Sequence, residues 1–365
     1  MRAVKKVTVP LIAALCSALL VAGMAVAGDD DRERRDHRVG SFAVGLWGDL
    51  PYTPQQRAQG VPNLIEDMNA SKLAFSIFDG DVKNGSTVCR DSEYTDARRR
   101  FDSLRAPSIY VPGDNEWTDC HRKSNNDSPP RADLKQPYDS LERLAFLRRT
   151  LASSPRSFGK RTIRLRRQSA AYPENVRWER GGVVFAGLHV VGSDNNRVPD
   201  PDPDIDESAT SYRTRQQRVA DQQEFVRRQA ATNRWVEQAF ARARRTGAPG
   251  VMLVMQANPI FDSPDTADVD ERAQAGDDGF KALIDVLRRE TIAYGKEVVL
   301  VHGDSHYFRV DKPLKDGQGR RLENFTRVET FGEADPHWVK ATVRPRSRRV
   351  FRFDQRIVPA NVVPR

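Results

Sequence analysis

The sequence predicts an α/β fold, and three observations carry that prediction. Short apolar runs alternate with stretches of helical apolar spacing from residue 41 onward. Four of the runs end in a Gly-Asp turn: Leu46-Trp47-Gly48-Asp49, Phe78-Asp79-Gly80-Asp81, Val111-Pro112-Gly113-Asp114 and His302-Gly303-Asp304. After residue 306 the chain closes on several β-rich segments. In an α/β sheet the turns at the carboxyl ends of neighbouring strands converge on one crevice. The four turns are therefore expected to bring Asp49, Asp81, Asp114 and Asp304 together. One Gly-Asp turn means little, since both are ordinary turn residues. Four of them, each on a strand end, are harder to dismiss.

The elements follow in order. Arg2, Lys5 and Lys6 precede the apolar run Val7 to Val26, and Ala25-Val26-Ala27 is a small-residue cleavage site, so residues 1–27 read as a secretory signal peptide. A membrane anchor is the other reading of that run. Residues 28–40 are a charged linker expected to be disordered. One domain over 41–360 follows. Its strands are expected at 41–47, 73–78 and 108–111, with helices at 61–72 and about 92–104 between them. Residues 118–136 are rich in Asn, Asp, Ser, Pro and Lys and read as a loop. A helix at 138–152 carries Leu141, Leu144, Leu147 and Leu151 at helical spacing. Ala170 to Trp178 and Val183 to Val191 read as a hairpin turning at Glu179-Arg180-Gly181-Gly182. A Pro/Asp-rich excursion at 197–211 leads to a long helix over 215–245. Strand 250–255, helix 277–293 and strand 297–302 come next. The clearest of the closing strands are 325–331, 338–343 and 350–353.

Export sets the redox compartment. Cys16 leaves with the leader, and Cys89 and Cys120 remain as an even pair in an oxidising environment. They follow the second and third Gly-Asp turns, so a disulfide clamping those two loops is expected; two free thiols are the alternative. No second stretch is long enough to span a bilayer, so no membrane anchor is expected after cleavage, and periplasm and medium are equally open. Removing the three basic residues of the leader from the formal charge of +9 leaves about +6, a surface that favours anionic partners. No zinc-finger, helix-turn-helix or RNA-binding aromatic motif points to nucleic acid.

The aspartates have a chemical consequence of their own. Four carboxylates in one crevice repel each other. A divalent cation removes that problem, because carboxylate oxygens are natural ligands of hard metals.

The ordered set of turns resembles the calcineurin-like metallophosphoesterases, which include purple acid phosphatases and cyclic-nucleotide phosphodiesterases. That family's blocks run Asp-x-His, Gly-Asp-x-x, Gly-Asn-His-Glu/Asp, a strand ending in His, and Gly-His-x-His. Here they look like Gly48-Asp49-Leu50-Pro51, Gly80-Asp81-Val82-Lys83-Asn84, Gly113-Asp114-Asn115-Glu116, Met255-Gln256-Ala257-Asn258-Pro259 and Gly303-Asp304-Ser305-His306. The resemblance spans about residues 41–310 and implies a four-layer α/β/β/α sandwich around a two-metal site. It makes Asp49 and Asp81 metal ligands, with Asp81 bridging. Asp114 stands for a ligand asparagine, Asp304 for a ligand histidine, and His306 matches the last histidine.

The departures matter as much. Pro51 replaces a ligand histidine, and Asn115 replaces the histidine near the leaving group. The fourth-block histidine is absent, with Gln256 or Asn258 as its substitute. Of the six histidines, only His306 falls on an expected position. His189 reads as a satisfied core histidine, and His302 ends a strand with either sheet face open to it. His121, beside Cys120, is a candidate general acid in place of the lost histidine. Lys83, Arg90 and Arg122 are candidate contacts for an anionic substrate.

With oxygen ligands in place of imidazoles, Mg, Mn or Ca is expected rather than Zn or Fe, as two ions or, given Pro51, one. The implied activity is hydrolysis of a phosphate mono- or diester by metal-activated water. Asn115 can donate a hydrogen bond to the phosphoryl group but cannot act as a general acid. The alternative is a family member that has lost catalysis and serves as a metal-stabilised binding or scaffold domain.

Overall fold

The structure, a computed structural model, describes residues 40–126, 137–199, 210–261 and 271–362. The expected signal peptide at 1–27, nearly all of the 28–40 linker, and residues 127–136 and 200–209 of the polar stretches at 118–136 and 197–211 lie outside the described residues.

β1 (Phe42–Trp47), α1 (Val61–Ala70), β2 (Leu73–Phe78), α2 (Asp91–Ser103) and β3 (Ser108–Tyr110) make two consecutive crossovers, so β1, β2 and β3 are parallel neighbours. α3 (Ser140–Leu151) packs beside α2. A second sheet is then laid down from β4 (Arg166–Arg167), β5 (Val176–Arg180) and β6 (Val183–Gly187). The long α4 (Arg215–Thr246) follows, then β7 (Gly250–Val254), α5 (Lys281–Tyr294), β8 (Glu297–His302), β9 (Arg309–Asp311) and β10 (Phe325–Glu329). β11 (Trp338–Val343) and β12 (Phe351–Arg356) return to the first sheet, where β11 runs antiparallel to β1. The sheet orders are β12-β11-β1-β2-β3 and β4-β5-β6-β7-β8-β10-β9.

Alternation along the strands builds the layers. Val44, Leu46, Phe75 and Ile77 face Phe185, Met252, Val254, Val299 and Val301 across the space between the sheets. Trp47 and Phe78 point the other way, onto Leu64, Met68, Phe101 and Leu147 of α1, α2 and α3. Val251, Leu253, Val298 and Leu300 turn out onto Trp235, Phe240, Leu283 and Leu287 of α4 and α5. The order is thus helices, sheet, sheet, helices: the four-layer α/β/β/α sandwich the resemblance implied. Each fully buried Leu, Val or Phe contributes roughly 1.5–3 kcal/mol of burial free energy to these layers.

Helix ends follow the local sequence. Thr214 caps α4 with a reciprocal bond pair to Gln217, and Gly247 closes it at φ 67°. Asp139 accepts from the Glu142 N–H to start α3. Two expected strands are shorter than the apolar pattern promised. The first begins at Val176, because Pro173 has no N–H for a ladder and Glu174 and Asn175 turn inward to bond His189. The second stops at Gly187, and Leu188 to Val191 run on as irregular chain.

What positions the site is that the parallel strands end level. Trp47 pairs with Phe78, and Phe78 with Tyr110. In the second sheet Val254 pairs with Val301. The turns then lock to one another: Asp49 N–H donates to Gly80 O at 2.9 Å and Gly303 N–H to Gln256 O at 3.0 Å.

Candidate metal centre

The turns past these strand ends are tightly bent. Asp49, Asp81, Asp304 and His306 all adopt left-handed backbone conformations, with φ of 49°, 63°, 74° and 62°. Asp tolerates that region better than most residues. Four such residues at one end of two sheets mark a constrained site of the kind that carries function.

Their side chains meet. Tyr52 Oη lies 2.9 Å from Asp81 Oδ2, 3.2 Å from Asp49 Oδ1 and 3.2 Å from His306 Nε2. His306 Nε2 is itself 3.4 Å from Asp49 Oδ1, while its Nδ1 lies 3.3 Å from Glu333 Oε2. Asn115 Nδ2 donates to Asp81 Oδ2 at 2.7 Å and to Tyr52 Oη at 3.2 Å. On the other side, Gln256 Nε2 lies 3.1 Å from Asp114 Oδ1, 3.2 Å from Asp304 Oδ1 and 3.3 Å from Asp81 Oδ2. All four sequence-predicted aspartates and His306 are therefore in one cluster, and Asp81 Oδ2 is the atom its two halves share.

The charge balance is one-sided. Burial first, then the Asp114, Glu116, Asp49 and Asp304 charges, push the Asp81 carboxyl well above its ordinary range. Burial and Asp114 do the same to Asp304, against the opposing Asn258 N–H bond and the His306 charge. Burial works against the His306 charge, but Asp49, Glu333 and Asp304 more than offset it and hold that imidazolium up to about 9. Burial and the surrounding aspartates raise the Tyr52 phenol as well. One imidazolium inside the cluster is far too little positive charge for its carboxylates.

The remaining candidates separate. Of the two fourth-block alternatives, Gln256 is fully buried and enters the cluster, whereas Asn258 turns its side chain out to Ser305 Oγ at 2.7 Å and offers Asp304 only its backbone N–H. Lys83 is fully buried, and its ammonium donates to Asn125 Oδ1 at 2.7 Å and Asn84 O at 3.2 Å. Arg122 sits at the rim, bound to Asp119 Oδ2 at 2.5 Å and Ser193 Oγ at 3.1 Å. His121 Nδ1 lies 2.8 Å from Ser211 Oγ, and its ring lines a recess of about 360 Å³ with Arg122, Ser193 and Arg213; none of Asp49, Asp81, Asp114 and Asp304 lines that recess. His302 is buried and faces Gly303 O. The Cys89–Cys120 disulfide is formed, and both sulfurs lie against Asn115 O, at 3.8 and 3.9 Å.

Three residues of the site were not expected from the sequence. Tyr52 lies one position beyond Pro51 in the first turn, and its place directly after a missing ligand histidine is the signal that could have found it. Ser193, whose Oγ is 2.8 Å from Asp114 Oδ2 and 2.7 Å from Asp119 Oδ1, comes from the turn after β6. Glu116 accepts from Tyr110 Oη and Gly113 N–H at 2.8 and 2.7 Å and so ties the third turn to its own strand.

Among the described residues, no group of three or more His, Cys, Asp or Glu side chains could hold a metal ion by itself. With the phenol counted, the picture differs by halves. Neighbouring ligands around one small hard cation, with bonds of roughly 2.1 Å, stand about 3 Å apart. The separations on the Tyr52 side, 2.9 to 3.4 Å among an oxygen-rich set with one imidazole nitrogen, fit such a cation. On the Gln256 side the atom facing the carboxylates is an amide nitrogen, which is a donor and not a ligand.

No known family profile matches the chain, and no curated protein matches it in sequence. Among solved structures it is similar to the purple acid phosphatase PPD1 from seeds of yellow lupin (Lupinus luteus), at 12% identity and a TM-score of 0.45, over 87% of this chain and 54% of that one. The chain thus spans about half the length of that structure. It is also similar to GAP50, the anchor in the inner membrane complex of Plasmodium, at 8% identity and a TM-score of 0.39, covering 87% of this chain and 89% of that one. A third is TT1561 of Thermus thermophilus, at 8% identity and a TM-score of 0.35, covering 87% and 99%. At such scores these likenesses carry no argument about activity; the chemistry of the chain's own residues has to.

Proposed function

We propose that this chain is an exported, metal-dependent phosphoesterase acting on a small anionic phosphate mono- or diester, with Asp49, Asp81, His306 and Tyr52 as the set that holds a divalent cation. The observation that carries the reading is the meeting of Tyr52 Oη with Asp49, Asp81 and His306 within 2.9 to 3.2 Å, in a buried crevice short of positive charge. An oxygen-rich set with a single imidazole favours Mg or Mn over Zn or Fe. A bound cation supplies Lewis acidity toward a phosphoryl oxygen and eases deprotonation of water.

The protein's own groups do the rest. Asp49 and Asp81 would hold the cation from turns whose backbones are bonded to each other. Asn115, held against the disulfide, directs an N–H of its amide toward the Tyr52–Asp81 edge, where it can turn to a phosphoryl oxygen. Arg122 at the rim offers a charge that favours an anionic ester. The Asn115 amide has no proton to give a departing oxygen, so esters with good leaving groups are expected to react best.

A second reading, a catalytically silent binding domain, is favoured by one observation. Both carboxylate oxygens of Asp49, Asp81, Asp114 and Asp304 already accept hydrogen bonds from the protein. Hydrolysis of bis(4-nitrophenyl) phosphate by the metal-stripped chain, with Mg, Mn, Ca or Zn added singly, decides between them. Turnover that needs an ion and is lost in Asp81→Ala supports the esterase. No turnover with any ion, while a metal raises the melting temperature of the unmutated protein alone, supports the binding domain.

A further inference from the structure

Gln256 is a neutral side chain placed at the meeting point of three carboxylates, and its orientation is settled by a partner outside them. The residue follows β7, where its N–H donates to Val190 O at 3.2 Å and its carbonyl accepts from Gly303 N–H at 3.0 Å. Its side-chain Oε1 lies 2.6 Å from the Gly192 backbone nitrogen. A backbone N–H can only donate, so the oxygen faces Gly192 and the NH₂ faces the crevice. That NH₂ then lies 3.1, 3.2 and 3.3 Å from oxygens of Asp114, Asp304 and Asp81. An amide nitrogen has no lone pair to give a metal, and its two hydrogens satisfy carboxylate oxygens that a cation would otherwise bind.

The surroundings are shaped to this arrangement. A Cβ on Gly80 would stand 2.5 Å from Gln256 Cγ. One on Gly192 would stand 2.6 Å from Asp114 Oδ2 and 2.8 Å from Asp304 Oδ1. Both turns are bare so that the amide and the carboxylates can close on one another. On the Tyr52 side the Asn115 amide donates to Asp81 Oδ2 and Tyr52 Oη, but the atom that faces Asp49 and His306 is the phenol oxygen, which can ligate as well as donate.

We infer that the Gln256 carboxamide takes the place of a second cation, so that the site binds one divalent ion, on the Tyr52 side, and not a pair. This rests on the cation-binding reading above, and the test separates the two. The metal-stripped full chain is dialysed against Mn²⁺, bound ion is counted per chain, and the electron paramagnetic resonance spectrum is recorded. The wild type should hold one ion with the spectrum of an isolated Mn²⁺. In Gln256→Glu, which keeps the shape and the Gly192 bond but turns a donor into a carboxylate oxygen, a second ion should bind and the spectrum should show two coupled ions. Tyr52→Phe should weaken the single wild-type ion at least tenfold. Two coupled ions in the wild type, a result that needs no variant, would overturn this inference while leaving the cation reading intact. A folded Gln256→Glu that still holds one ion overturns it too. No ion in the wild type sinks the cation reading itself.

Discussion

Gly113 has no side chain because Asp81 stands where one would be. A Cβ there would lie 2.0 Å from Asp81 Oδ1 and 2.4 Å from the Asp81 backbone nitrogen. The same holds for Gly303 against Asp49 Oδ2 at 2.0 Å, and for Gly48 against Asp79 Oδ1 at 1.8 Å. These three turn glycines thus clear room for a carboxylate delivered by another turn. Gly113→Ala should push Asp81 aside, lower stability by about 1–3 kcal/mol as overpacking does, and weaken cation binding at least tenfold. Gly317→Ala, with nothing within 4 Å, is the matched control and should stay within about 0.5 kcal/mol. Urea unfolding and Mn²⁺ dialysis on both variants check this; equal behaviour of the two would refute the packing argument. At this scale the aspartates were legible in the sequence, since a strand end followed by Gly-Asp fixes both place and direction. Tyr52 and Gln256 were not fully legible. Whether Gln256 or Asn258 enters the cluster depends on the Gly192 N–H, which is 64 residues away in the chain and supplies a partner no local pattern encodes.

The elements deliver these residues by ending level, and one covalent link holds two of the deliveries in place. Cys89 follows β2 and Cys120 follows β3, and the bond between them closes a loop with a sequence separation of 31. In the chain-entropy picture such a loop contributes about 3–4 kcal/mol through the unfolded state. The paired sulfurs also back the Asn115 carbonyl, and Tyr94 Oη, 3.9 Å from Cys120 Sγ, bonds the Glu116 carbonyl beside it. The double variant Cys89→Ser/Cys120→Ser should therefore lose on the order of 3 kcal/mol in denaturant unfolding, and reductant should have little further effect on it. Wild-type protein whose unfolding midpoint ignores reductant under unfolding conditions would count against a stabilising role. The pairing was readable from the two cysteines that remain beyond the expected leader. The start of the hairpin before β6 was not, because an apolar-looking Ala170 to Val176 hides Pro173 and two side chains committed inward.

At the scale of the whole molecule, the layers were expected from the order of the Gly-Asp turns and the resemblance it carries, and runs such as Phe75 to Phe78 build them, each face claimed by a different core. Less visible was a buried polar knot that joins those layers. Glu174 before β5 is bonded by Arg148 of α3 and by His189 after β6, while Arg228 of α4 donates to the His189 carbonyl and pairs with Glu224. Trp117 covers the imidazole edge-on at 5.1 Å. Burial first, and then the Arg228 charge, lower His189 to about 4 despite its bond to Glu174. At neutral pH it is therefore uncharged and donates from Nδ1. The unfolded chain protonates that histidine near 6.5 and the folded one only near 4, so the unfolded state binds more protons throughout that window. Stability must then fall as pH drops from about 6.5 to 4, by up to about 3 kcal/mol for this group. His302 adds a loss of the same sign, since burial and Arg327 lower it to about 3. Glu174 extends the decline: burial opposes its charge, yet the His189 and Arg148 bonds hold it down at about 2, so its contribution is lost as pH falls from about 4.5 toward 2. The buried Asp81, Asp304, Asp119 and Asp221 carboxyls, raised in the fold first by burial, pull stability the other way in this window. The wild type is therefore compared with His189→Asn by urea unfolding at pH 7, 6, 5 and 4. The stability gap between the two should shift by up to about 3 kcal/mol in the variant's favour as pH falls from 6.5 to 4. A variant that is less stable at pH 7 but keeps the wild-type pH dependence would show that His189 packs there without carrying the titration.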